Sequence, residues 1–563
     1  MPRRRCRGRS GASSRAASRA SPAGPGRSPS ATSPIPNSPC SAPDRAACGA
    51  RTTPPAAPDR AAPRRPSAAS GRVPARHGRA RRAPSWHGAV PRRGGAPWPG
   101  PRIGAATAAR RIAARRGCPM SPGPRARGTG GPDRPCPPAA GPSRRAVLLG
   151  GLAALAARPR PAGAAPAPRP VADFLDSVGV NLHLGSEPYA SRFETVRDLL
   201  AEAGIRHVRD ELRPSNDLGR WARLHATHGV RAQLLVSPVT NTVPEMLAYL
   251  EALGPGRVSA IEGQNEGDSP WFTAQPAARP DWSSAVVAYQ RAVYRALRTR
   301  YDARTLPVVS PTVLDYRPQD VAPIRGAAPF CDVVAIHSYV QGGQEPETAD
   351  DYAALSWYLA HMAEGFKPGA PVMSTEVGYC TPPNPGRGGV SEAAAAIYVP
   401  RLLLHNFAAG LRRSFLYELM DGGTDPRETE HHWGLVHHDG RPKPAYRALR
   451  GLMRALSAPD APRDEAPREV ALPEAGADLR AVPLGRRDGG TVVALWRALR
   501  CWDPAARADL APEARPQRVV PSRPAARARA MVPNDEEAWT EVAIRDGAAS
   551  LPVGAKVVLL WLS

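Results

Sequence analysis

The feature that most constrains the fold is a regular alternation of short apolar runs and helical patterns between Val178 and Ser457. Runs rich in β-branched residues that end in turns or polar residues are typical of buried strands. The eight predicted strands are VGVNLHLG from Val178, IRHVRDEL from Ile205, VRAQLLVSP from Val230, VSAIEGQNE from Val258, LPVVSPTV from Leu306, DVVAIHSY from Asp332, PVMSTEVGY from Pro371 and RSFLYELMD from Arg413.

Helical periodicity separates these strands. One predicted helix has an apolar face from Phe193 to Ala203 and ends at Gly204, and a second ends before Gly254. Longer helices are predicted over residues 283–301, 350–366 and 391–409, whereas the connection over residues 317–328 is short and contains proline.

Eight strand and helix units in about 280 residues predict an α/β fold, a (β/α)8 TIM barrel with its active site at the C-terminal strand ends. A doubly wound open sheet would also explain the alternation. It would not predict polar residues at so many strand ends, and these are His183, Arg209, Asp210, Glu266, His337, Tyr339, Glu376, Tyr417 and Glu418.

The pattern changes after about Pro459 to short β-prone runs separated by turns. We therefore predict a barrel domain over residues 171–458 and a small, sandwich-like antiparallel β domain over residues 459–563. Within this second domain, the Pro- and Arg-rich segment from Ala505 to Arg527 is predicted to be a loop.

The first 142 residues differ from the rest in charge and composition. The chain has 76 basic and 50 acidic residues, but the first 145 residues contain 30 Arg, no Lys and only 3 acidic residues, so the remainder is close to neutral. This composition predicts either a disordered basic tail or a misassigned start, with Met120 as an alternative first residue. A basic tail could bind nucleic acid, but the barrel and β domains carry no such charge excess.

The segment from Ser143 to Ala167 has the features of a signal peptide. Arg144 and Arg145 precede an apolar run from Ala146 to Ala157, and the small residues 162–164 follow as a cleavage site. The pair of arginines resembles the twin-arginine export motif. We expect an exported protein without a permanent membrane anchor, because 12 apolar residues are too few to span a bilayer. A chance Arg pair before an Ala-rich linker is the alternative.

Metal and thiol chemistry have little support in the sequence. Only Cys331, Cys380 and Cys501 lie after the signal segment, so at most one disulfide is possible, and their spacing is not that of a zinc site. The cluster of His431, His432, His437 and His438 lacks regular ligand spacing. We predict no metal and no cofactor.

Glu266 and Glu376 carry the predicted chemistry. In a closed barrel, the ends of strands four and seven meet at the same mouth, so these two carboxylates could flank one bond. Glycoside hydrolysis needs such a pair, with one carboxyl group protonating the leaving oxygen and the other acting at the anomeric carbon.

An Asn-Glu pair at the end of strand four and a Glu at the end of strand seven resemble the pattern of clan A glycoside hydrolases, in particular bacterial cellulase-like members with a trailing β domain. The resemblance covers roughly residues 178–457 and includes WGLVHHDGRPKPAYRAL from Trp433. It implies a retaining mechanism. Carried over by position, it implies an acid/base at Glu266, a nucleophile at Glu376 and a donor to the sugar 2-hydroxyl at Asn265. It further implies that Arg209 keeps the nucleophile ionised and that His337 and Tyr339 are the His and Tyr of strand six in the site.

The sequence departs from this pattern in two places. Gln264 stands where many members have Trp, and Tyr417 and Glu418 stand where a Trp often lines the floor of the sugar site. These departures concern the sugar contacts more than the reaction. We predict that His183, Tyr417, Glu418 and Trp433 bind substrate.

Two other acidic residues compete for these roles. Glu262 shares a strand face with Glu266 but lies about 13 Å deeper, since a strand rises about 3.3 Å per residue, and is predicted to pair with a buried cation. Asp268 is predicted to be a loop residue or a cap. Glu418 remains an alternative nucleophile.

The sequence thus predicts an exported enzyme that hydrolyses β-glycosidic bonds in an oligosaccharide, polysaccharide or glycoconjugate with retention. We expect this enzyme to be a monomer. The alternative is a carbohydrate-binding protein on a barrel that no longer catalyses.

Overall fold

The computed structural model describes residues 163, 165–213, 217–349, 354–385, 388–457, 465–535 and 538–563. The predicted basic tail lies outside the described residues, as does most of the predicted signal peptide. None of the helices in the described ranges combines the length and hydropathy that crossing a bilayer requires.

Eight parallel strands form one sheet, in which β5 and β6 lie at the two ends of the strand order. An isolated parallel bridge from Val309 to Val333 joins these ends. The predicted TIM barrel is confirmed. Its strands are β1 Val178–Asn181, β2 His207–Glu211, β3 Arg231–Leu235, β4 Val258–Glu262, β5 Val308–Val309, β6 Val334–His337, β7 Val372–Val377 and β8 Arg413–Leu416.

Helices surround the barrel. They are α1 Val171–Asp176, α2 Phe193–Ala203, α3 Leu218–His228, α4 Val243–Leu253, α5 Pro270–Thr273, α6 Trp282–Arg298, α7 Pro318–Val321, α8 Leu355–Tyr358, α9 Glu392–Ala408 and α10 Pro444–Leu456. Helix α2 ends at Gly204 with φ of 67°, a conformation that glycine adopts without steric cost.

Several helix predictions change in detail. The short fifth connection continues from α7 into a 3₁₀ helix, Ala322–Phe330. The helix predicted over residues 350–366 is described only from residue 354, and it combines α8 with a π-helical turn, Leu359–Glu364.

The strand register brings polar side chains of neighbouring strands to one level of the barrel. Asn181 pairs with Arg209, and Arg209 pairs with Gln233. On the far side, a register shift in the β6/β7 pair places His337 opposite Glu376. Strands β1 to β3, β6 and β7 therefore each carry a polar residue at this level of the barrel.

The C-terminal part is a β domain with two main sheets. Its strands are β9 Val470–Ala471, β10 Leu479–Gly485, β11 Thr491–Arg497, β12 Trp502–Asp503, β13 Ala508–Asp509, β14 Arg515–Pro521, β15 Ala528–Met531, β16 Thr540–Glu541, β17 Ile544–Arg545, β18 Ala548–Val553 and β19 Val558–Leu562. One apolar cluster contains residues of both sheets, including Val493 and Leu560 from the larger and Val519 and Leu551 from the smaller.

Two features of this domain were not predicted. The segment from Ala505 to Arg527 is not a loop throughout, because it contains β13 and β14, and residues 515–519 of β14 pair with β18. Its Arg residues obscured the alternation, since only Gln517 and Val519 in the strand centre are buried. In addition, a short strand at Arg169–Pro170, just before the barrel, pairs in parallel with β10.

Candidate active site

Glu266 and Glu376 meet at the C-terminal end of the barrel, with His337 between them. The His337 Nδ1 atom lies 2.9 Å from Glu266 Oε1 and 3.6 Å from Glu376 Oε2. One carboxylate oxygen of each glutamate and a ring nitrogen of His337 all lie within 4.8 Å of one another. The two predicted catalytic side chains are therefore together, although 110 positions separate them in the sequence.

Glu376 lies near the end of β7 in a buried, cationic environment. Its Oε1 atom accepts a hydrogen bond from Arg209 Nη1 at 2.8 Å, and its Oε2 atom accepts one from the Tyr339 hydroxyl at 3.0 Å. Burial raises the pKa of Glu376, but the charges of His337 and Arg209 outweigh this effect, so the pKa is lowered. This carboxyl group is thus held in its ionised form.

Arg209 connects Glu376 to the interior of the barrel. Its Nε and Nη2 atoms donate to the two oxygens of Glu262 at 2.8 and 2.9 Å. Nη1 also donates to Asn181 and Nη2 to Asn265, each at 2.9 Å. With the bond to Glu376, all five N–H groups of the guanidinium have an acceptor, so its orientation is closely determined.

Glu266 lies in the loop after β4, four residues beyond the strand end, and does not close the strand as predicted. Its φ of 44° is in the left-handed region, which is uncommon for residues other than glycine. The backbone N–H donates to Thr312 Oγ1 at 2.9 Å and holds this turn. The Glu266 side chain is 24% exposed, compared with 10% for Glu376. The two carboxylates therefore differ in solvent access.

His337 is placed by its backbone as well as by its ring. Its N–H donates to the buried Tyr316 hydroxyl at 2.8 Å. Burial lowers the pKa of His337, but Glu376 and the hydrogen-bonded Glu266 outweigh it, so the pKa is raised. The imidazole therefore tends to carry a positive charge between the two carboxylates.

A second polar group lies at the end of β8. Glu418 is 3% exposed, and its Oε2 atom lies 2.8 Å from the Tyr189 hydroxyl and 3.2 Å from His183 Nε2. The His183 side chain is 40% exposed, so it is accessible from the mouth. Because Glu418 contacts none of Arg209, His337 and Tyr339, its surroundings differ from those of Glu376.

Aromatic rings line the side of the mouth near Glu376. The ring centroids of Tyr339 and Trp433 are 5.0 Å apart, and those of Tyr417 and Trp433 are 6.4 Å apart. The Tyr417 ring also lies 5.7 Å from the His183 ring. All ten residues predicted for the site therefore lie in one connected group.

The four clustered histidines do not form a metal site. His432 Nε2 pairs with the Asp425 carbonyl and His438 Nδ1 with the Asp421 carbonyl, so these rings point at different partners. Among the described residues, the one group with metal-ligand spacing is Glu266, His337 and Glu376.

The three described cysteines are free and buried. Burial raises the pKa of the Cys380 thiol to about 12, which leaves it protonated and unreactive near neutral pH. The predictions for two carboxylates are also confirmed. Glu262 is fully buried and pairs with Arg209, and Asp268 accepts a hydrogen bond from the Leu314 N–H at 2.7 Å as a loop cap.

Several residues of the site were not identified from the sequence. Asn181 could have been noticed, because it is an amide at the end of an otherwise apolar strand. Tyr189, Thr312 and Tyr316 lie in connections without a periodic pattern, so no sequence signal placed them in the candidate site.

No protein-family model matches the chain, and no curated protein matches it either. Among solved structures, a family 39 glycoside hydrolase from Bacteroides cellulosilyticus WH2 is similar at 16% identity and a TM-score of 0.49, covering 70% of this chain and 81% of that one. A glucosidase from Croceicoccus marinus is similar at 12% identity and a TM-score of 0.44, covering 65% and 91%.

A β-1,3-glucanosyltransferase from Rhizomucor miehei is similar at 15% identity and a TM-score of 0.37, covering 48% of this chain and 96% of that one. Identities this low and TM-scores below 0.5 do not establish an activity. The function of this chain must be argued from its own residues.

Proposed function

We propose that this protein is a glycoside hydrolase that cleaves β-glycosidic bonds with retention of configuration. The observation that carries the proposal is the Glu266 and Glu376 pair, with one oxygen of each within 4.8 Å of the other. Retaining enzymes hold the two carboxyl groups about 5 to 5.5 Å apart, whereas inverting enzymes leave about 6.5 to 9.5 Å for a water molecule. The short separation supports retention.

The different surroundings of the two carboxylates support their roles. Glu376, held ionised by Arg209 and His337, attacks the anomeric carbon and forms a glycosyl-enzyme. Glu266, which is more exposed and bonds to His337 Nδ1, donates its proton to the leaving oxygen. In the second step Glu266 removes a proton from water, and that water releases the sugar from Glu376.

Neighbouring residues hold the substrate in this scheme. The Asn265 oxygen accepts from Arg209, so its NH₂ group is oriented to donate to the sugar 2-hydroxyl. Tyr339, Tyr417 and Trp433 provide aromatic surface for a sugar ring, while His183 and Glu418 bind its hydroxyl groups. The reaction needs no cofactor.

The proposal is tested with the full chain and a panel of aryl β-glycosides. For the glycoside that is hydrolysed, NMR of the first-formed product should show the β anomer. Glu376→Ala should abolish turnover with an unchanged circular dichroism spectrum. Added azide should then restore cleavage of the activated substrate and yield the α-glycosyl azide, because azide replaces the missing nucleophile on the opposite face.

Three outcomes would overturn the proposal in different ways. Formation of the α anomer by the unmodified protein would mean inversion. Unchanged hydrolysis by Glu376→Ala would mean that another group, such as Glu418, is the nucleophile. Tight binding of an oligosaccharide that is never cleaved would favour the alternative of a carbohydrate-binding protein.

We also propose that the enzyme acts outside the cytoplasm after twin-arginine export. The support is the Arg144-Arg145 pair, the short apolar run after it and the small residues at 162–164. Sequencing the N-terminus of the secreted protein should find a start near Ala165. A mature protein that retains the basic segment would contradict removal of a signal peptide after export. In that case, nucleic-acid binding by the basic segment would again be a candidate function.

A further inference from the structure

Glu262 lies below the catalytic pair in the barrel interior, and its contacts are unlike those of an ordinary core residue. The side chain is fully buried on β4. Both of its oxygens accept from Arg209, and Oε2 also accepts from Gln233 Nε2 at 2.6 Å. Glu262 therefore makes two of the five hydrogen bonds that hold the guanidinium, and the nucleophile makes one.

We propose that Glu262 is a positioning residue that shares the Arg209 charge with Glu376 and so limits how strongly Arg209 stabilises the ionised nucleophile. The kinetic consequence of this role rests on the proposed hydrolase function. The electrostatic consequence does not, because it concerns only the three buried side chains.

The direction of the effect follows from charge. One guanidinium serves two carboxylates, so its field at Glu376 is partly cancelled by Glu262. Without the Glu262 charge, the full positive charge of Arg209 would act on Glu376. The repulsion between the Glu262 and Glu376 carboxylates would also be lost. Both changes lower the pKa of Glu376. A carboxylate that is stabilised further is a weaker nucleophile, since catalytic groups need a pKa matched to their task.

Other charged and titratable groups also face Glu376. His337 and Tyr339 contact it directly, and Glu266 reaches it through His337. His183, Tyr316, Tyr417 and Glu430 act on it at longer range. A substitution at position 262 leaves all of these in place, so a change in the titration of Glu376 would report the loss of the Glu262 charge.

Glu347 offers a matched control. Its side chain is 1% exposed and pairs with the fully buried Arg401 side chain, as Glu262 pairs with Arg209, but it lies outside the candidate active site. Glu262→Gln and Glu347→Gln each remove one carboxylate from a buried guanidinium. Both should destabilise the fold, and only the first should alter Glu376. Glu262→Asp keeps the charge and tests geometry alone.

The first measurement is the titration of the Glu376 side-chain carboxyl carbon by NMR in the full chain, assigned by its absence in Glu376→Gln. We expect Glu262→Gln to lower the titration midpoint by about one pH unit, and Glu262→Asp and Glu347→Gln to leave it near that of the unmodified protein. On a hydrolysed glycoside, Glu262→Gln should move the acidic limb of kcat/KM in the same direction and reduce kcat about 10- to 100-fold.

An unchanged Glu376 midpoint in Glu262→Gln, or an equal change in Glu347→Gln, would overturn the proposal and leave Glu262 with a structural role. If Glu262→Gln does not fold, the titration midpoint of Glu376 in Glu262→Asp decides the question. That variant keeps the charge at position 262, so a shift of the Glu376 midpoint to higher pH would contradict charge sharing. If the unmodified protein cleaves no glycoside, the proposed function fails, whereas the NMR titration still tests the role of Glu262.

Discussion

Two buried arginines in this molecule have similar surroundings and different consequences. Arg209 sits beneath the barrel mouth and bonds to Glu262 and Glu376. Arg401 lies on α9, where it pairs with Glu347 and donates to the Leu499 carbonyl at 2.8 Å. Both guanidiniums are almost inaccessible to solvent, and both hold a carboxylate in its ionised form.

The difference lies in the number of carboxylates and in access. Arg401 has one carboxylate partner, and Glu347 also accepts from Trp496 Nε1 at 2.6 Å, so this pair joins the barrel to the β domain. Arg209 has two, and one of them, Glu376, contacts His337, which bonds to Glu266 at the mouth. Burial of an ion pair alone therefore does not mark an active site. In this molecule, the buried pair whose carboxylate reaches an opening is the one in the candidate active site.

The first prediction concerns Glu376, where we expect substitution to have the largest effect on activity. Glu376→Gln should reduce kcat/KM by at least about 10⁴-fold, because the nucleophile of a covalent mechanism has no replacement in the site. Initial rates on the hydrolysed aryl glycoside measure this loss, and circular dichroism checks the fold. Loss of less than about tenfold would mean that Glu376 is not the nucleophile.

The second prediction concerns proton donation at the mouth. Glu266→Gln should slow hydrolysis by about 10²- to 10⁴-fold, because the leaving oxygen receives no proton. Measured as kcat/KM, which reports the first step, the loss should be large for a phenyl glycoside and small for a dinitrophenyl glycoside, whose leaving group departs without a proton. An equal loss on both substrates would assign Glu266 to sugar binding instead.

The third prediction concerns the Glu347–Arg401 pair, which joins the barrel to the β domain. Glu347→Gln should lower the free energy of unfolding by about 3 to 5 kcal/mol, because Arg401 is left buried with its charge uncompensated. Urea unfolding measures this change. The rate constants below the unfolding transition should stay those of the unmodified protein. A specific fall in kcat with unchanged stability would show that the junction also acts on catalysis.

The smallest effect is expected on stability at low pH, where the glutamates that pair with the two arginines should behave alike. For both glutamates burial raises the pKa, but Arg401 outweighs it for Glu347, as His337 and Arg209 do for Glu376, so both values fall below the usual 4.5. Each then contributes stability above that pH and loses it as the pH falls through the folded-state pKa.

Substituting Gln for either glutamate should therefore flatten the loss of stability at low pH. Urea unfolding from about pH 3 to about pH 7 gives the slope for each variant beside the unmodified protein. A steeper acid loss in Glu347→Gln would contradict the direction assigned to its pKa.

The barrel was predictable because its signals are local. Apolar runs of strand length, helical periodicity and Gly204 after α2 each need only a few neighbouring residues to be recognised. The segment containing β14 was missed because its pairing with β18 compensates for an unfavourable composition, and pairing between distant segments leaves no local trace. The sequence also placed the strand ends less accurately. The predicted fourth strand extended to Glu266, which lies in the loop after β4.

The sequence was enough to bring the residues at strand ends together at one face, but it gave no position for the residues between them. Glu376, Arg209 and His337 follow from the rule that the ends of parallel strands meet at one face. Tyr189 and Thr312 contact Glu418 and Glu266, respectively, from connections whose paths no periodic pattern describes.

By itself the sequence determined the barrel and the pair of glutamates at its mouth, because hydrophobic periodicity encodes strand and helix order directly. Tertiary structure alone decided how the charges of Arg209 and His337 are shared among the carboxylates. Glu262, Glu266 and Glu376 are the same residue type. Only the closure of the barrel places Arg209 against Glu262 and Glu376. The same closure places His337 between Glu266 and Glu376. Charges act through space, so their consequences appear only after distant segments have been brought together.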